Sequence, residues 1–248
     1  MRKYLKLRNV VLSIVVLLLL ATGAFVAWAN NPLPAAPEAL AALQSTTEVS
    51  VQSQNGWTVF APTGSPPTTG FIFYPGGRVD PRAYALHLQS IARNGYLVVL
   101  TPMPLNLAVF GVNEASEVIQ NFPDIKLWAV GGHSLGGAMA ARYVQSNPDS
   151  VQGLVFWASY PDIDLSSIAI KALSVYGTND GVANAQGIQN SAAMLPPDTI
   201  FVAVDGGNHS GFGWYGLQPG DTEASITPAD QTNQTVDATS TLLASLSD

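Results

Sequence analysis

Apolar and polar positions divide the chain into an N-terminal apolar block and a long alternating remainder. Val10 to Ala29 is apolar almost without interruption. About 20 such residues is the length of a helix that crosses a bilayer. Asn30 to Ser45 is rich in Pro and Ala and reads as a tether, with a short helix near Glu38–Leu43. Beyond it, apolar runs of strand length alternate with segments of helical period.

The first two runs, Thr47–Ser53 and Gly56–Ala61, flank Asn55-Gly56. That dipeptide favours a tight hairpin because both residues tolerate positive φ. The hairpin is expected at the antiparallel edge of a sheet. Gly70–Tyr74, Tyr96–Thr101, Lys126–Val130, Gly153–Ala158, Ala172–Tyr176 and Thr199–Val204 read as further strands. They are continuous apolar runs, as strands covered on both faces should be. Helices are expected after Asp80-Pro81, around Asn113–Asn121, over Ala138–Val144, near Val182–Leu195, and from Thr227-Pro228 to Leu246. Asp80 and Thr227 suit the N-cap, and the prolines suit the first helical position. Alternation of this kind predicts an α/β fold: a doubly wound, mostly parallel sheet with helices on both faces. The expected division is an N-terminal helix over 1–30, a linker over 31–45 and one domain over 46–248. About a dozen residues separate the runs at 153 and 172, too few for a separate cap domain.

Composition narrows the chemistry. The chain has no cysteine, which excludes disulfides, thiolate metal sites and a cysteine nucleophile. Three histidines leave little scope for a histidine-rich metal site. Four of the ten Lys and Arg residues (Arg2, Lys3, Lys6, Arg8) precede the apolar block, and all seventeen acids follow it. Basic residues ahead of a span hold the N-terminus in the cytoplasm and direct the domain outward. A membrane anchor is the expected use of this helix. Cleavage as a signal peptide near Ala29, after the small-x-small site Ala27-Trp28-Ala29, is the alternative. The acidic domain excludes nucleic acid as a partner.

The sequence Gly131-Gly132-His133-Ser134-Leu135-Gly136-Gly137 lies between an expected strand and an expected helix. Gly132-x-Ser134-x-Gly136 is the pattern of a sharp strand-to-helix turn that lifts a serine hydroxyl clear of the sheet. A Cβ at either glycine would press on neighbouring backbone. The Leu135 N–H, free at the helix start, can hold an oxyanion. No Lys-Ser/Thr pair follows and no Gly-x-Gly-x-x-Gly is present, so a phosphate loop is excluded.

A serine hydroxyl needs a base. In an open parallel sheet the site lies beyond the carboxyl ends of the strands. His209 follows the last strand and is the candidate base; His87 falls within a helix and His133 within the turn itself. Asp180, after the run at 172–176, is the candidate acid, with Asp162, Asp164 and Asp205 as rivals. A second oxyanion donor is expected in the first strand-to-helix loop, from Gly77 N–H, with Arg78 N–H next. Tyr74, Met103, Phe110, Phe212, Trp214 and Tyr215 are candidates for an apolar pocket and equally for ordinary core; Arg78 and Arg82 are read first as solvated surface residues, with a carboxylate contact as the alternative. Asp221 and Glu223 fall in a loop close to His209 in sequence.

With Gly132–Gly136, Gly177-Thr178-Asn179-Asp180-Gly181 and Asn208-His209 in the order Ser, Asp, His, residues 56–248 resemble the α/β-hydrolase superfamily. Within it, the chain is similar to the small, capless, dienelactone-hydrolase-like group. Tyr74–Asp80 resembles a bacterial membrane-anchored subgroup. The serine departs from the cysteine of dienelactone hydrolases proper, so that specificity is not implied. The resemblance implies a serine hydrolase acting on a small acyl or ester substrate through an acyl-enzyme, with no metal or organic cofactor. An acyltransferase with the same triad and a non-catalytic binding module on the same fold are the alternatives.

Overall fold

The computed structural model describes residues 2–247. Helix α1 (Arg2–Ala29) carries the apolar block, and its side chains from Val10 to Leu20 are exposed. It is long and apolar enough to cross a membrane. A short helix α2 (Pro37–Ala41) follows. Instead of running free, this Pro/Ala-rich stretch lies along the domain. Ala39 and Ala42 are buried, Leu33 pairs with Val79, and the Gln89 side chain donates to the Ala42 and Gln44 carbonyls at 2.9 Å each. Alanine and proline have little side-chain entropy to lose on such docking.

Eight strands form one sheet: β1 (Val49–Gln54), β2 (Trp57–Pro62), β3 (Thr69–Tyr74), β4 (Leu97–Leu100), β5 (Leu127–His133), β6 (Gly153–Trp157), β7 (Lys171–Gly177) and β8 (Ile200–Val204). Their order is β1-β2-β4-β3-β5-β6-β7-β8. The β1–β2 hairpin turns at Asn55 (φ 53°) and Gly56 (φ 85°) and forms the antiparallel edge. From β4 to β8 every pairing is parallel.

Side-chain alternation along β3 assigns the two faces. Phe71 and Phe73 point into a core shared with α3 (Ala85–Arg93) and α7 (Pro228–Ser245), around Trp157, Leu88 and Leu243. Ile72 and Tyr74 point the other way, into a core with α4 (Glu114–Asn121) and α5 (Leu135–Ser146). One short helix, α6 (Ala185–Asn190), precedes β8. The N-caps form as expected: Asp80 accepts from Arg82 N at 3.0 Å and Thr227 from Asp230 N at 3.1 Å. The run that became β8 departs from the fully covered strand its sequence predicts. As the last strand it has one neighbour, and Ile200 remains 52% exposed.

Because β3 to β8 are parallel, the loops after β3, β5, β6, β7 and β8 gather at one edge of the sheet. That edge carries all the chemistry described next.

Candidate active site

Ser134 sits between β5 and α5 with φ 52° and ψ −121°. A non-glycine residue there stores strain that the surroundings must hold. Two contacts hold it. Ser134 N donates to Trp157 O at 3.0 Å, and Ser159 Oγ donates to Ser134 O at 2.6 Å. The flanking glycines are required by space. A Cβ on Gly132 or Gly136 would overlap the Tyr74 carbonyl. The serine is half-exposed.

The loops after β7 and β8 meet through backbone. A Cβ on Gly177 would overlap the Gly207 carbonyl, and Asn179 N donates to that carbonyl at 2.8 Å. The approach sets His209 Nδ1 2.9 Å from Asp180 Oδ2, with both side chains buried. The other oxygen, Asp180 Oδ1, accepts from Val182 N at 2.7 Å and Ala183 N at 2.6 Å. A carboxylate engaged this way is an acceptor only, so the His209 proton belongs on Nδ1. Nε2 keeps its lone pair and, among the described residues, has no hydrogen-bond partner. Ser134 and His209 are therefore not hydrogen-bonded at rest. Ser134 does share one cavity, of about 240 Å³, with Val182 and Ala183 of the Asp180 loop.

Two backbone donors flank the serine. Leu135 N, at the first position of α5, and Gly77 N, in the loop after β3, have no backbone or side-chain acceptor among the described residues. They belong to neighbouring segments: a Cβ on Gly77 would stand 3.1 Å from Leu135 Cδ2. Arg78 N, the other donor considered, is taken up by Asn106 O at 2.8 Å.

The fold recurs among known proteins. An alpha/beta hydrolase family model matches residues 70–233. The chain belongs to the alpha/beta hydrolase family. No curated protein sequence matches it. Solved structures share the fold. One is a predicted CIB-like hydrolase from Thermoplasma acidophilum, 18% identical, with a TM-score of 0.54 over 78% of this chain and 99% of that one. Another is an alpha/beta hydrolase enzyme from a metagenome of lagoon sediments at Mar Chica, Morocco. It is 16% identical, with a TM-score of 0.53 over 65% of this chain and 90% of that one.

Several candidate residues of this hydrolase stand away from the site. The cavity beside Ser134 is lined by Leu135, Ala138, Ser159, Tyr160, Val182 and Ala183. None of the six apolar candidates lines it. Tyr74 is core, its hydroxyl donating to Val112 O and accepting from Ala115 N, and burial pushes its pKa up. Met103, Phe212 and Tyr215 are buried, Trp214 Nε1 donates to Thr232, and Phe110 faces outward beside Phe25. Arg82 pairs with Asp80 at 2.6 Å. Arg78 turns to α1, donating to Trp28 O at 2.9 Å and Asn31 O at 2.7 Å. Of the rival acids, Asp162 also lines the Ser134 cavity but pairs with Arg142, while Asp164 accepts from Ser166 N and Asp205 from Thr178.

Other residues were not singled out by sequence. Tyr84, fully buried, accepts from Gly76 N at 3.0 Å and meets His133 Nδ1 at 2.8 Å. Its single proton has that nitrogen as partner, which leaves the His133 proton on Nε2. Burial and the nearby His209 hold the His133 pKa well below the usual histidine range, so it stays neutral. Its ring packs on His209 with centroids 4.5 Å apart. Asp221 does more than its place in a surface loop predicts. Its carboxylate accepts from Gly181 N at 3.1 Å, from His209 N at 3.3 Å, and from Ser210 N and Oγ at 2.7 and 2.6 Å. It thus ties the Asp180 loop to the His209 loop. From α7, Gln231 accepts from Asn208 N at 3.1 Å and donates to Asn208 O at 2.7 Å. Among the described residues no group of three His, Asp or Glu side chains is placed to hold a metal ion.

Proposed function

We propose that this hydrolase cleaves carboxylic esters with Ser134 as nucleophile, His209 as base and Asp180 as its partner. The observation that carries the reading is the buried His209–Asp180 pair, whose bonding leaves Nε2 as a lone-pair acceptor beside a strained serine turn. The bond from Ser134 to His209 Nε2 forms with substrate in place, since serine–histidine bonds are often loose without it. Ser134 Oγ then attacks the carbonyl carbon and its proton passes to His209 Nε2. The carbonyl π electrons move to oxygen, which Leu135 N–H and Gly77 N–H stabilise. Collapse expels the alcohol, which takes the proton from His209. Water repeats the sequence on the acyl-enzyme. Asp180 holds the tautomer and stabilises the imidazolium. The half-exposed serine and shallow cavity favour water over another acyl acceptor.

Within the family we place the protein with the small, capless, dienelactone-hydrolase-like enzymes, and we read α1 as a retained single-pass anchor with the domain outside the cytoplasm. Contacts of Trp28 and Ala29 with the domain support retention over cleavage at Ala29. The test uses full-length protein in detergent with p-nitrophenyl acetate, butyrate and octanoate. Loss of turnover in both Ser134→Ala and Asp180→Asn is expected, with fluorophosphonate labelling lost in the former. Turnover unchanged in Ser134→Ala would overturn the assignment.

A further inference from the structure

The end of α1 is built into the candidate oxyanion loop. Arg78 follows Gly77 directly. Its guanidinium donates to the carbonyls of Trp28 and Asn31, and its carbon centre stands 4.4 Å from the Trp28 ring centroid. Asn106 Nδ2 donates to Ala29 O at 3.0 Å, while Asn106 O accepts from Arg78 N at 2.8 Å. The last carbonyls of an apolar helix are thereby satisfied by the domain itself. At a membrane surface such partners matter, because water is scarce. A cation at a helix C-terminus is also favoured by the helix dipole.

The segment after β4 completes the link. It runs through two left-handed non-glycine residues, Leu105 (φ 55°) and Asn106 (φ 53°). Leu107 then lies beside Gly77: a Cβ there would stand 3.6 Å from Leu107 Cδ2. Two and three residues on, Val109 and Phe110 are 46% and 52% exposed. The Phe110 ring meets Phe25 of α1 edge-on at 6.5 Å. Phe25 is four residues inside the end of α1, about 6 Å along the helix at 1.5 Å per residue. Val109 and Phe110 therefore lie alongside the apolar span, below its end. Exposed apolar side chains at that level, and a tryptophan such as Trp28, are what a bilayer boundary would match.

We infer that Val109 and Phe110 dip into the bilayer surface, and that the ester acted on is a bilayer-resident lipid ester delivered to the Ser134–Gly77 site across Leu107. This rests on the esterase reading above. The acidic domain, with all seventeen Asp and Glu beyond the span, selects an uncharged or zwitterionic lipid. One chain of contacts then runs from the span, through Phe25 and Phe110, to Leu107 and Gly77.

The test uses full-length protein in phosphatidylcholine vesicles. A long-chain diacylglycerol in the bilayer and dissolved p-nitrophenyl acetate serve as paired substrates. The double variant Val109→Ser/Phe110→Ser changes only exposed side chains. It is expected to lower diacylglycerol turnover at least tenfold and leave acetate turnover within twofold. Equal rates for variant and wild type on diacylglycerol would overturn the proposal. A second measurement does not need turnover. The chain lacks cysteine, so Val109→Cys carries a single NBD label. A blue-shifted emission quenched by spin-labelled lipid is expected; water-exposed emission would overturn the placement. Lipid-buried emission with neither ester turned over and no fluorophosphonate label would overturn the esterase reading and, with it, the lipid substrate.

Discussion

Asp221 grips Ser210 twice, taking its N–H at 2.7 Å and its hydroxyl at 2.6 Å. The same carboxylate reaches Gly181 beside Asp180. Burial alone would raise its pKa, but the bonds from Ser210, Gly181 and Thr222 outweigh it and hold the carboxyl below the usual range. Asp221→Asn presents an amide N–H to donors that need an acceptor. Ester turnover is expected to fall about 10- to 100-fold, and stability by about 1–3 kcal/mol. Fluorophosphonate labelling rates and urea denaturation of the variant check both. Unchanged labelling would show that the bridge does not position His209.

Stability should fall as the medium turns acidic. His87 is fully buried against Trp157, and burial brings its pKa down to about 3. His133 is held well below its ordinary value too. Unfolded histidines take up protons near pH 6.5. Between that pH and the folded values the unfolded chain binds more protons, so stability drops as pH falls. The slope reaches about 1.4 kcal/mol per pH unit for each such histidine. His87→Leu is expected to flatten the dependence between pH 6 and 4, read from denaturation midpoints. Asp80 and Asp221, whose folded values are lowered, add stability that is lost only below about pH 4.

Ser134→Gly should stabilise the fold while abolishing ester turnover. The serine holds φ 52° and ψ −121°, a conformation that costs about 1–3 kcal/mol for a side-chain-bearing residue. Glycine adopts it freely and loses about 0.5–1 kcal/mol in backbone entropy. A net gain of about 1 kcal/mol is expected, seen as a raised Tm. A lowered Tm would mean that the turn is unstrained.

Gly177→Ala tests the spacing of the two loops. The new methyl would overlap the Gly207 carbonyl, in backbone that has no side-chain end to yield. Separation of Asp180 from His209 is expected to reduce turnover at least 100-fold, with a Tm drop smaller than a core truncation gives. Full activity in this variant would show that the loops move freely.

Local features of the chain were readable where neighbouring residues decide the outcome. Asn55-Gly56 specified the hairpin because both residues must take positive φ, and they do. Asp80 and Thr227 cap helices within their own turns. The meeting of Asp180 and His209 follows from parallel strands, which send successive loops to one edge. Tyr84, Ser159 and Gln231 were illegible for the opposite reason. Each acts on a residue 23 to 49 positions away, across packing that no local pattern encodes. Arg78 reads as a surface or ligand-contacting arginine because its true partner, the end of α1, lies about 50 residues earlier. The exposed face of β8 was hidden because an apolar run says nothing of how many neighbours a strand will have.

The latch from Gln231 to Asn208 has a consequence for biosynthesis. Gln231 belongs to α7, which is synthesised after every strand of the sheet. Chains emerge N-terminus first, so α1 is made long before the loop carrying His209 can be locked. The loop that carries His209 is thus locked only once the chain has been made as far as α7.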